Sequence, residues 1–537
     1  MDLDSSPVHT RSHPTTRWSR ANFAEAVQGV QTPLGWTFWD HVAETSVRQC
    51  FADIGGIAAK DAPPPADPNL KFNASFFGLP AGNVTFFHSI GESLPGTSGD
   101  VVIKQMFGEE PGVVTPSARG SLLRPVIAGL KMPAAAIRST RRVVTVHDQV
   151  ADWWRRRVLE QPPDDLAGAQ RLLAEAAEWF IRVGRHHATV SLIGQALVEQ
   201  VELVVEQAFG DRTRTSDVLT GLGGMEETRL MTAIWEAAQG QSDIASIIAA
   251  FGFHGPDEGN VTSVSWREDD GPVRDLVANY EDAEVRDPRE RERERTTKRE
   301  VVERELLDAL DPFRRQRAKI VLRLARTLVP RREVGKAGFL MAIDGARCAT
   351  RCAGSEMARA RTLDEPDDIF FVTFDELASG GQIDPATIES RKRHHRHFEG
   401  LTVAQAWTGN PDPIEDPDAG EAGAPRTKPP GNGVQGIGVV GGTVRGRARV
   451  LDDPTSGPLA PGEILVCRTT DPSWTPLFLI ADALVIDTGG SMSHGAIVAR
   501  ELGVTCVINT IDGTAAIPDG AMIEVNGNDG TAVIVDG

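Results

Sequence analysis

Cysteine is scarce in this chain of 537 residues, and the five cysteines are scattered without a CxxC pair. We therefore expect neither a disulfide framework nor a zinc or other metal site. Basic residues are also outnumbered by acidic ones. The chain has 56 Lys and Arg residues and 75 Asp and Glu residues, which gives a formal net charge of -19. This balance argues against a nucleic-acid-binding surface, which requires clustered basic residues.

Long apolar runs are missing as well. The first 17 residues are polar and lack the apolar core of a signal peptide. No run approaches the length of a transmembrane helix, and no GxxxxGK[ST] phosphate loop occurs. We therefore expect a cytoplasmic protein of two to four domains that has no membrane partner.

Proline and glycine divide the chain into four predicted segments. Residues 1–17 are predicted to be disordered, and residues 18–407 to form a large, mainly helical domain, because apolar residues recur there at three- and four-residue steps. Residues 408–433 are rich in Pro, Gly and Asp and are predicted to be a linker. Residues 434–537 should form a compact domain of strands and helices. The fold class is therefore multi-domain α+β.

A run of alternating charges, RDPRERERERTTKRE, covers Arg286 to Glu300. It mixes both signs and contains almost no apolar residues. Such a run most simply predicts a solvated helix or linker.

One histidine, His494, stands at the start of a predicted helix, directly after a tight turn. Residues 483–488 (ALVIDT) indicate a buried strand, and Gly489 and Gly490 permit backbone angles that other residues avoid. Ser493 suits the N-cap of the apolar helix that follows. This spacing predicts a strand, a turn and a helix with His494 in its first turn.

That position favours anion chemistry. Free N–H groups and the positive end of the helix dipole stabilise a phosphate at a helix N-terminus. An imidazole near its ordinary pKa of about 6.5 is largely neutral at pH 7, which leaves one ring nitrogen as a nucleophile. From these residues alone, two interpretations stay open: a phosphoryl-carrying histidine and a plain capping histidine.

The last hundred residues carry several motifs in a recognisable order, and these strongly resemble the swivelling phosphohistidine domain of the phosphoenolpyruvate-utilizing enzymes. That group includes phosphoenolpyruvate synthase, pyruvate phosphate dikinase and rifampin phosphotransferase. The motifs are PGEIL (Pro461–Leu465), TDPSWTPLF (Thr470–Phe478), GGSMSHGAIVARELG (Gly489–Gly503) and DGAMIEVNGNDGTAVIV (Asp519–Val535).

The resemblance implies that residues 434–537 form a β/β/α swivelling domain. It also implies that His494 receives a phosphoryl group from a nucleotide-binding domain and delivers it elsewhere. The dikinases have a regulatory threonine two places before the histidine, where this chain has Met492; that form of control is therefore not expected. Beside the catalytic His494, the expected phosphate-binding residues are Gly489, Gly490, Ser491, Ser493, Gly495 and Arg500, although Arg500 has the alternative of only solvating the helix.

A weaker resemblance covers the larger part of the chain. Motifs such as WSRANFAEAVQGVQTPLGWTFW (Trp18–Trp39) and FGFHGPDEGNVTSVSWRED (Phe251–Asp269) are similar to the substrate-binding domain of rifampin phosphotransferase-type proteins. The second motif gathers a histidine, a carboxylate, an aromatic residue and an arginine, which suit a base, an orienting group, a wall and a phosphate clamp. The candidate pocket residues are His254, Glu258, Trp266 and Arg267, and the alternative is an ordinary loop with an aromatic anchor.

The resemblance also implies a partner. Rifampin-type members begin with an ATP-grasp domain, whereas this chain reaches the substrate-domain motif at Trp18 and ends without the phosphoenolpyruvate/pyruvate barrel of the dikinases. Two-subunit relatives such as phenylphosphate synthase separate the ATP-binding part. We therefore expect ATP and Mg²⁺ to be bound by a separate ATP-grasp subunit, and the acceptor to be a small hydroxyl-bearing compound.

Three functions remain open at this stage. The first is a phosphotransferase subunit of the ATP-dependent dikinase type, active with its partner. The second is a non-enzymatic phosphocarrier or regulatory partner, which would form phosphohistidine but transfer it to no alcohol. The third is a small-molecule-binding protein in which the histidine domain is idle, and it would bind ligand without being phosphorylated.

Overall fold

The computed structural model describes residues 3–21, 23, 27–107, 123–212, 214–223, 226–282, 286–380, 383–415, 433–454, 456–457, 459–470, 472–490 and 493–535. The chain divides into two compact units. The first unit comprises Met1–Val190, Asp257–Ser263 and Gly335–Ala422, and the second comprises Ser191–Pro256, Val264–Val334 and Gly423–Gly537. The predicted helical domain 18–407 is therefore shared between both units, because its longest helices continue from one into the other.

The α-helices are α1 (Pro33–Ile54), α2 (Val84–Ser93), α3 (Gly99–Phe107), α4 (Arg124–Trp154), α5 (Leu166–Phe209), α6 (Thr215–Leu219), α7 (Glu226–Ala238), α8 (Ile244–Phe251), α9 (Gly271–Asp282), α10 (Pro288–Ala309), α11 (Pro312–Arg359), α12 (Phe374–Ser379), α13 (Pro385–Phe398), α14 (Thr475–Phe478), α15 (His494–Leu502) and α16 (Gly513–Ala516). The strands are β1 (Arg17–Ser19), β2 (Asn73–Phe76), β3 (Leu79–Asn83), β4 (Leu401–Thr402), β5 (Ala406–Thr408), β6 (Ile414–Glu415), β7 (Gly433–Gln435), β8 (Ile437–Val440), β9 (Thr443–Leu451), β10 (Glu463–Cys467), β11 (Ala483–Ile486), β12 (Thr505–Ile508), β13 (Met522–Asn526) and β14 (Thr531–Ile534). The predicted fold class, a large helical part followed by a C-terminal β-rich domain, is confirmed.

Helix α5 differs from the expectation that no segment is long enough to cross a membrane. By length and composition α5 could cross a membrane, because its most apolar 18-residue window has a mean hydropathy of 1.4. In the structure, 33% of that window is buried. The core helix of a soluble protein meets the same criteria. In the first unit, Arg185 of this helix pairs with Asp53 of α1, through an Nε–Oδ2 distance of 2.5 Å.

The first unit contains a small antiparallel sheet in the order β2-β3-β1-β5, with its aromatic core built around Trp18, Phe76 and Trp407. The segment before Trp18 packs against this sheet and is not disordered as predicted. Val8 is buried, and its carbonyl accepts a hydrogen bond from Ser75 Oγ at 2.9 Å. The physical reason is that this polar segment supplies an apolar side chain and backbone partners to the sheet. The predicted linker begins with strand residues up to Glu415, and residues 416–432 lie outside the described residues.

Helix α1 places a carboxylate, Glu44, inside the first unit. Its Oε2 accepts a hydrogen bond from the Phe72 N–H at 3.0 Å, and Arg48 Nε lies 3.3 Å from its Oε1. Burial nevertheless raises the pKa of Glu44 to about 7, because desolvation of the charged form outweighs both favourable contacts.

We expect the Glu44→Gln substitution to remove part of the pH dependence of stability. The pKa is about 4.3 in the unfolded chain and higher in the folded one, so the folded state holds an extra proton between these values. The free energy of unfolding should therefore fall by up to ~1.4 kcal/mol per pH unit as the pH rises from about 4.3 towards 7. Urea denaturation across this pH range should show a smaller decrease in the free energy of unfolding for Glu44→Gln than for the unsubstituted chain. An identical slope in both proteins would contradict the assignment, and exposed Glu160→Gln is the control.

The second unit contains an eight-stranded sheet in the order β7-β14-β13-β9-β10-β11-β12-β8. Strands β9 to β12 are mutually parallel, and successive residues of β10, β11 and β12 alternate between two apolar cores. One of these cores also contains apolar residues of α7, α8, α9 and α15. Helices that precede the C-terminal domain by two hundred residues therefore share its core.

Candidate functional site

The strand, turn and helix around His494 are as the sequence predicts. Strand β11 is fully buried, and Ser493 caps α15 by accepting a hydrogen bond from the Ala496 N–H at its Oγ, 3.2 Å away. His494 is the first residue of the helix, and Gly503 ends it in the left-handed conformation. The half-buried imidazole therefore lies at the positive end of the helix dipole.

Two glycines allow this turn to close. Gly489 has a φ of 150°, and a Cβ placed there would lie 2.8 Å from Ser493 Oγ. A Cβ at Gly495 would lie 2.5 Å from Ile486 Cδ1 and 2.7 Å from Thr470 Oγ1. Both positions therefore exclude larger residues on steric grounds, while their contact with a phosphate stays a prediction. The Gly490 carbonyl accepts a hydrogen bond from the Ser493 N–H at 2.9 Å.

A threonine that the sequence analysis did not single out fixes the imidazole. Thr475, buried at the start of α14, places its Oγ1 3.1 Å from His494 Nε2. In the tautomer that carries its proton on Nδ1, Nε2 accepts a hydrogen bond from this hydroxyl. A phosphoryl group on Nε2 would therefore have a hydroxyl donor beside it. Thr475 belongs to the TDPSWTPLF motif, which was the available signal.

A buried carboxylate, Asp487, follows β11 directly and orders the neighbouring loop. It accepts hydrogen bonds from Thr510 Oγ1 at 2.7 Å and from the Thr514 N–H at 3.0 Å. Because β11 also leads into the glycine turn, Asp487 ties that turn to the loop before α16. Sequence reasoning assigned it only to the strand.

The remaining predicted phosphate contacts have different outcomes. Ser491 lies outside the described residues. Arg500 lies in the last turn of α15, about 9 Å further along the axis than His494, at ~1.5 Å per residue. There its charge is favourable for the helix dipole. Burial raises the pKa of Cys506 to about 12, and the positive charge of Arg500 acts to lower it. The backbone of Arg500 is more than one helical turn from that of His494, and a contact of its side chain with a phosphate stays a prediction.

Three of the four predicted pocket residues, His254, Trp266 and Arg267, belong to the second unit. His254 and Trp266 are both buried in the second unit, with ring centroids 5.5 Å apart, and His254 also lies 4.3 Å from the Phe253 ring. Arg267 pairs with Glu268 at 3.3 Å. Trp266 therefore belongs to the apolar core of the second unit, and the His254 ring packs beside it.

Glu258 belongs to the first unit, so the structure assigns it to a different compact unit from the other three. Its side chain is buried, with Lys336 Nζ 4.0 Å from Oε2. Its carbonyl accepts a hydrogen bond from Arg347 Nη2 at 2.7 Å. The loop 257–263 is thus organised around an arginine that the sequence analysis did not select.

Helix α14, which carries Thr475, is held in the second unit by two polar contacts. Tyr280, the only tyrosine of the chain, donates a hydrogen bond from its hydroxyl to the Pro476 carbonyl at 3.1 Å. Arg291 Nη1 donates to the Leu479 carbonyl at 2.9 Å. Burial strongly raises the pKa of the Tyr280 phenol, so this group stays protonated and remains a donor. These contacts fix the segment from which Thr475 reaches His494.

We expect Thr475→Val to slow phosphorylation of His494 by about tenfold, because one hydrogen bond that orients the ring is lost. Thr475→Ser keeps the hydroxyl and should recover most of the rate. The measurement is the rate of His494 phosphorylation by potassium phosphoramidate, a small phosphoryl donor that reacts with accessible imidazoles. Equal rates for the valine and serine variants would show that the hydroxyl has no orienting role.

Within the described ranges, no group of three His, Cys, Asp or Glu side chains is arranged to hold a metal ion.

Comparisons with known proteins identify two regions. Residues 459–530 match the PEP-utilising enzyme mobile domain, and residues 238–333 match the rifampicin phosphotransferase fourth domain. The resemblance drawn from the motifs is therefore confirmed: the chain contains a mobile domain of the PEP-utilising enzymes.

Curated relatives agree with this result. A rifampicin phosphotransferase of Streptomyces sviceus is 30% identical over 325 residues, which cover 58% of this chain and 37% of the relative. A prodigiosin synthesizing transferase of Serratia marcescens is 29% identical over 349 residues, covering 62% of this chain and 37% of the relative. An uncharacterized protein of Mycobacterium tuberculosis is 29% identical over 371 residues, covering 69% and 40%. The chain thus spans about two fifths of the length of these relatives.

Proposed function

We propose that this chain, which carries the mobile domain of the PEP-utilising enzymes, is a phosphotransferase subunit. In this proposal it relays a phosphoryl group through His494 to a hydroxyl group of a small organic acceptor in the cytoplasm. The observation that carries the proposal is the position of His494: a half-buried imidazole at the first residue of α15, with Nε2 directed to the Thr475 hydroxyl. The names of the similar phosphotransferases support the same class of reaction.

The first step forms phosphohistidine. Once the Thr475 hydroxyl releases it, the Nε2 lone pair of His494 attacks the β-phosphorus of ATP, so that an N–P bond forms as the bond from this phosphorus to the α-phosphate oxygen breaks and AMP leaves. Water then cleaves the γ-phosphate from the resulting pyrophosphoryl-histidine as inorganic phosphate, which leaves phospho-His494. By analogy with the family, the group is the β-phosphoryl of ATP. We propose that ATP and Mg²⁺ are bound by a separate ATP-grasp subunit, where the metal ion neutralises phosphate charge. The N-terminal end of α15 would stabilise the negative charge that arrives on the imidazole.

The second step transfers the group to the acceptor. An acceptor oxygen attacks phosphorus in line, the N–P bond breaks, and a base takes the hydroxyl proton. His254, Glu258 and Trp266 are buried in this structure, and their role toward an acceptor stays a prediction. The proposal therefore names His494 as the phosphoryl carrier, and it names no residue as the base that takes the hydroxyl proton.

A two-stage labelling experiment tests the relay. The chain is incubated with a candidate ATP-grasp partner and β-labelled ATP, freed of nucleotide, and then chased with a panel of small alcohols and phenols. We expect label on His494 in the first stage and on an acceptor in the second. Label that remains on His494 with every acceptor would favour the phosphocarrier alternative. Absence of label with every partner, together with ligand binding, would favour a binding protein with an idle histidine.

A further inference from the structure

A charged groove of about 510 Å³ lies in the second unit, away from His494. Its walls come from α10 and Arg286 before it, from the segment after α14, and from the end of α15. It is lined by Arg286, Arg291, Glu294, Arg295, Pro461, Leu479, Ile480, Ala481, Asp482, Leu502, Gly503 and Val504. Leu502 ends the helix that His494 begins, so the groove lies about 12 Å along that axis from the imidazole.

Three arginines of the alternating charge run line this groove. The run begins α10 and is mostly exposed or half-buried, as its composition predicts, but part of it also packs against neighbouring segments. Arg291 is half-buried and bonded to the Leu479 carbonyl. The Arg295 side chain is 16% exposed and lies 3.7 Å from Glu292. Arg286 is exposed and pairs with Glu294 at 3.0 Å. Arg291 and Arg295 line the groove together because they are four residues apart and therefore share one face of α10.

The groove carries a net positive charge in a strongly acidic chain. Three guanidinium groups oppose the carboxylates of Glu294 and Asp482, which leaves one positive charge. Burial lowers the pKa of Arg291, and the charge of Arg286 acts in the same direction. An anion placed between these guanidinium groups would relieve their repulsion and accept paired hydrogen bonds.

The other side of the groove is apolar. Leu479, Ile480 and Ala481 follow α14, and Leu502 and Val504 flank the end of α15. Most of these side chains are buried in the core, so only the part of this surface that lines the groove is open to a ligand. An apolar body attached to an anionic group would cover it and gain the hydrophobic contribution.

We propose that this groove binds a small organic phosphate, a phosphate monoester on an aromatic body, with its phosphate between Arg286 and Arg291 and its ring against the apolar wall. This site is separate from His494 and does not depend on the proposed function. It adds a binding site for an amphipathic anion to the second unit.

Isothermal titration of the whole chain with 1-naphthyl phosphate tests the proposal, with 1-naphthol and inorganic phosphate as the two partial ligands. We expect one site per chain, and at least tenfold weaker binding of each partial ligand, because each lacks half of the contacts. Binding of 1-naphthol as tight as that of its phosphate would overturn the proposal.

Substitutions that are expected to weaken binding and one that is expected to tighten it test the site further. Arg286→Gln and Arg291→Gln should weaken binding about tenfold or more, because each removes a charge-assisted contact. Asp482→Asn removes a negative charge and should tighten binding severalfold. Arg304→Gln, an exposed position on the same helix, should leave it unchanged, and so should His494→Ala. Arg286→Gln keeps the test valid if Arg291→Gln fails to fold. Weaker binding in Asp482→Asn, or loss of binding in His494→Ala, would place the probe elsewhere and overturn the proposal.

Discussion

His494→Ala is expected to abolish phosphorylation of the C-terminal domain, with a loss of at least about a thousandfold in the phosphorylation of this site, because no other group replaces the nucleophile. The fold should be retained. The imidazole is half-buried, and its contacts include the hydrogen bond with Thr475. Ser493, which caps the helix, stays in place, and alanine is a good helix former.

The measurement is the phosphopeptide that contains residue 494, quantified after reaction with phosphoramidate and again after reaction with ATP and a candidate ATP-grasp partner. Phosphohistidine is recognised by its loss in acid and its survival in alkali. His397→Ala provides the matched control, because His397 is an exposed histidine on α13 of the first unit. We expect that variant to keep full labelling at residue 494. Undiminished delivery of label to an acceptor by His494→Ala would remove this imidazole from the reaction.

The geometry around His494 could be predicted because its signals are local. An apolar strand, two glycines, a capping serine and a helix with an apolar face follow one another within twenty residues, and each acts through backbone preference or capping. Thr475 and Asp487 could not be assigned in the same way. Thr475 reaches the imidazole across nineteen residues, and Asp487 is paired with Thr510 and Thr514 of a later loop. Sequence spacing gives no distance between such side chains.

Packing against distant segments could not be predicted for a different reason. Composition indicates that the charge run from Arg286 to Glu300 is solvated, but it does not report which surface the helix meets. In the structure Arg291 bonds to a carbonyl after α14, and Arg299 is buried beside Glu303. His254 and Trp266 were placed in a pocket because of their chemistry, yet burial decides whether such groups meet a ligand or each other. Helical periodicity likewise identifies an apolar face without identifying its partner.

Arg347→Met is expected to cost about 3–5 kcal/mol of stability in the first unit. The guanidinium is fully buried. It donates from Nε to the Asn260 carbonyl at 3.0 Å, and from Nη2 to the Glu258 carbonyl at 2.7 Å and to Ser263 Oγ at 2.9 Å. Methionine fills a similar volume but leaves these acceptors buried and without donors, which is costlier than the loss of the bonds alone.

Calorimetric melting of the whole chain measures this cost as a lowered transition of the first unit. Arg351→Met is the matched control, because Arg351 lies one helical turn further on and donates to the Thr262 and Ser263 carbonyls from a half-buried position; its expected loss is smaller. Glu258→Gln distinguishes the two interpretations of this loop. If the loop is structural, Glu258→Gln changes phosphoryl transfer little and Arg347→Met mainly lowers stability. If Glu258 acts on the acceptor, its substitution lowers transfer while the melting transition stays unchanged, and the structural interpretation is wrong.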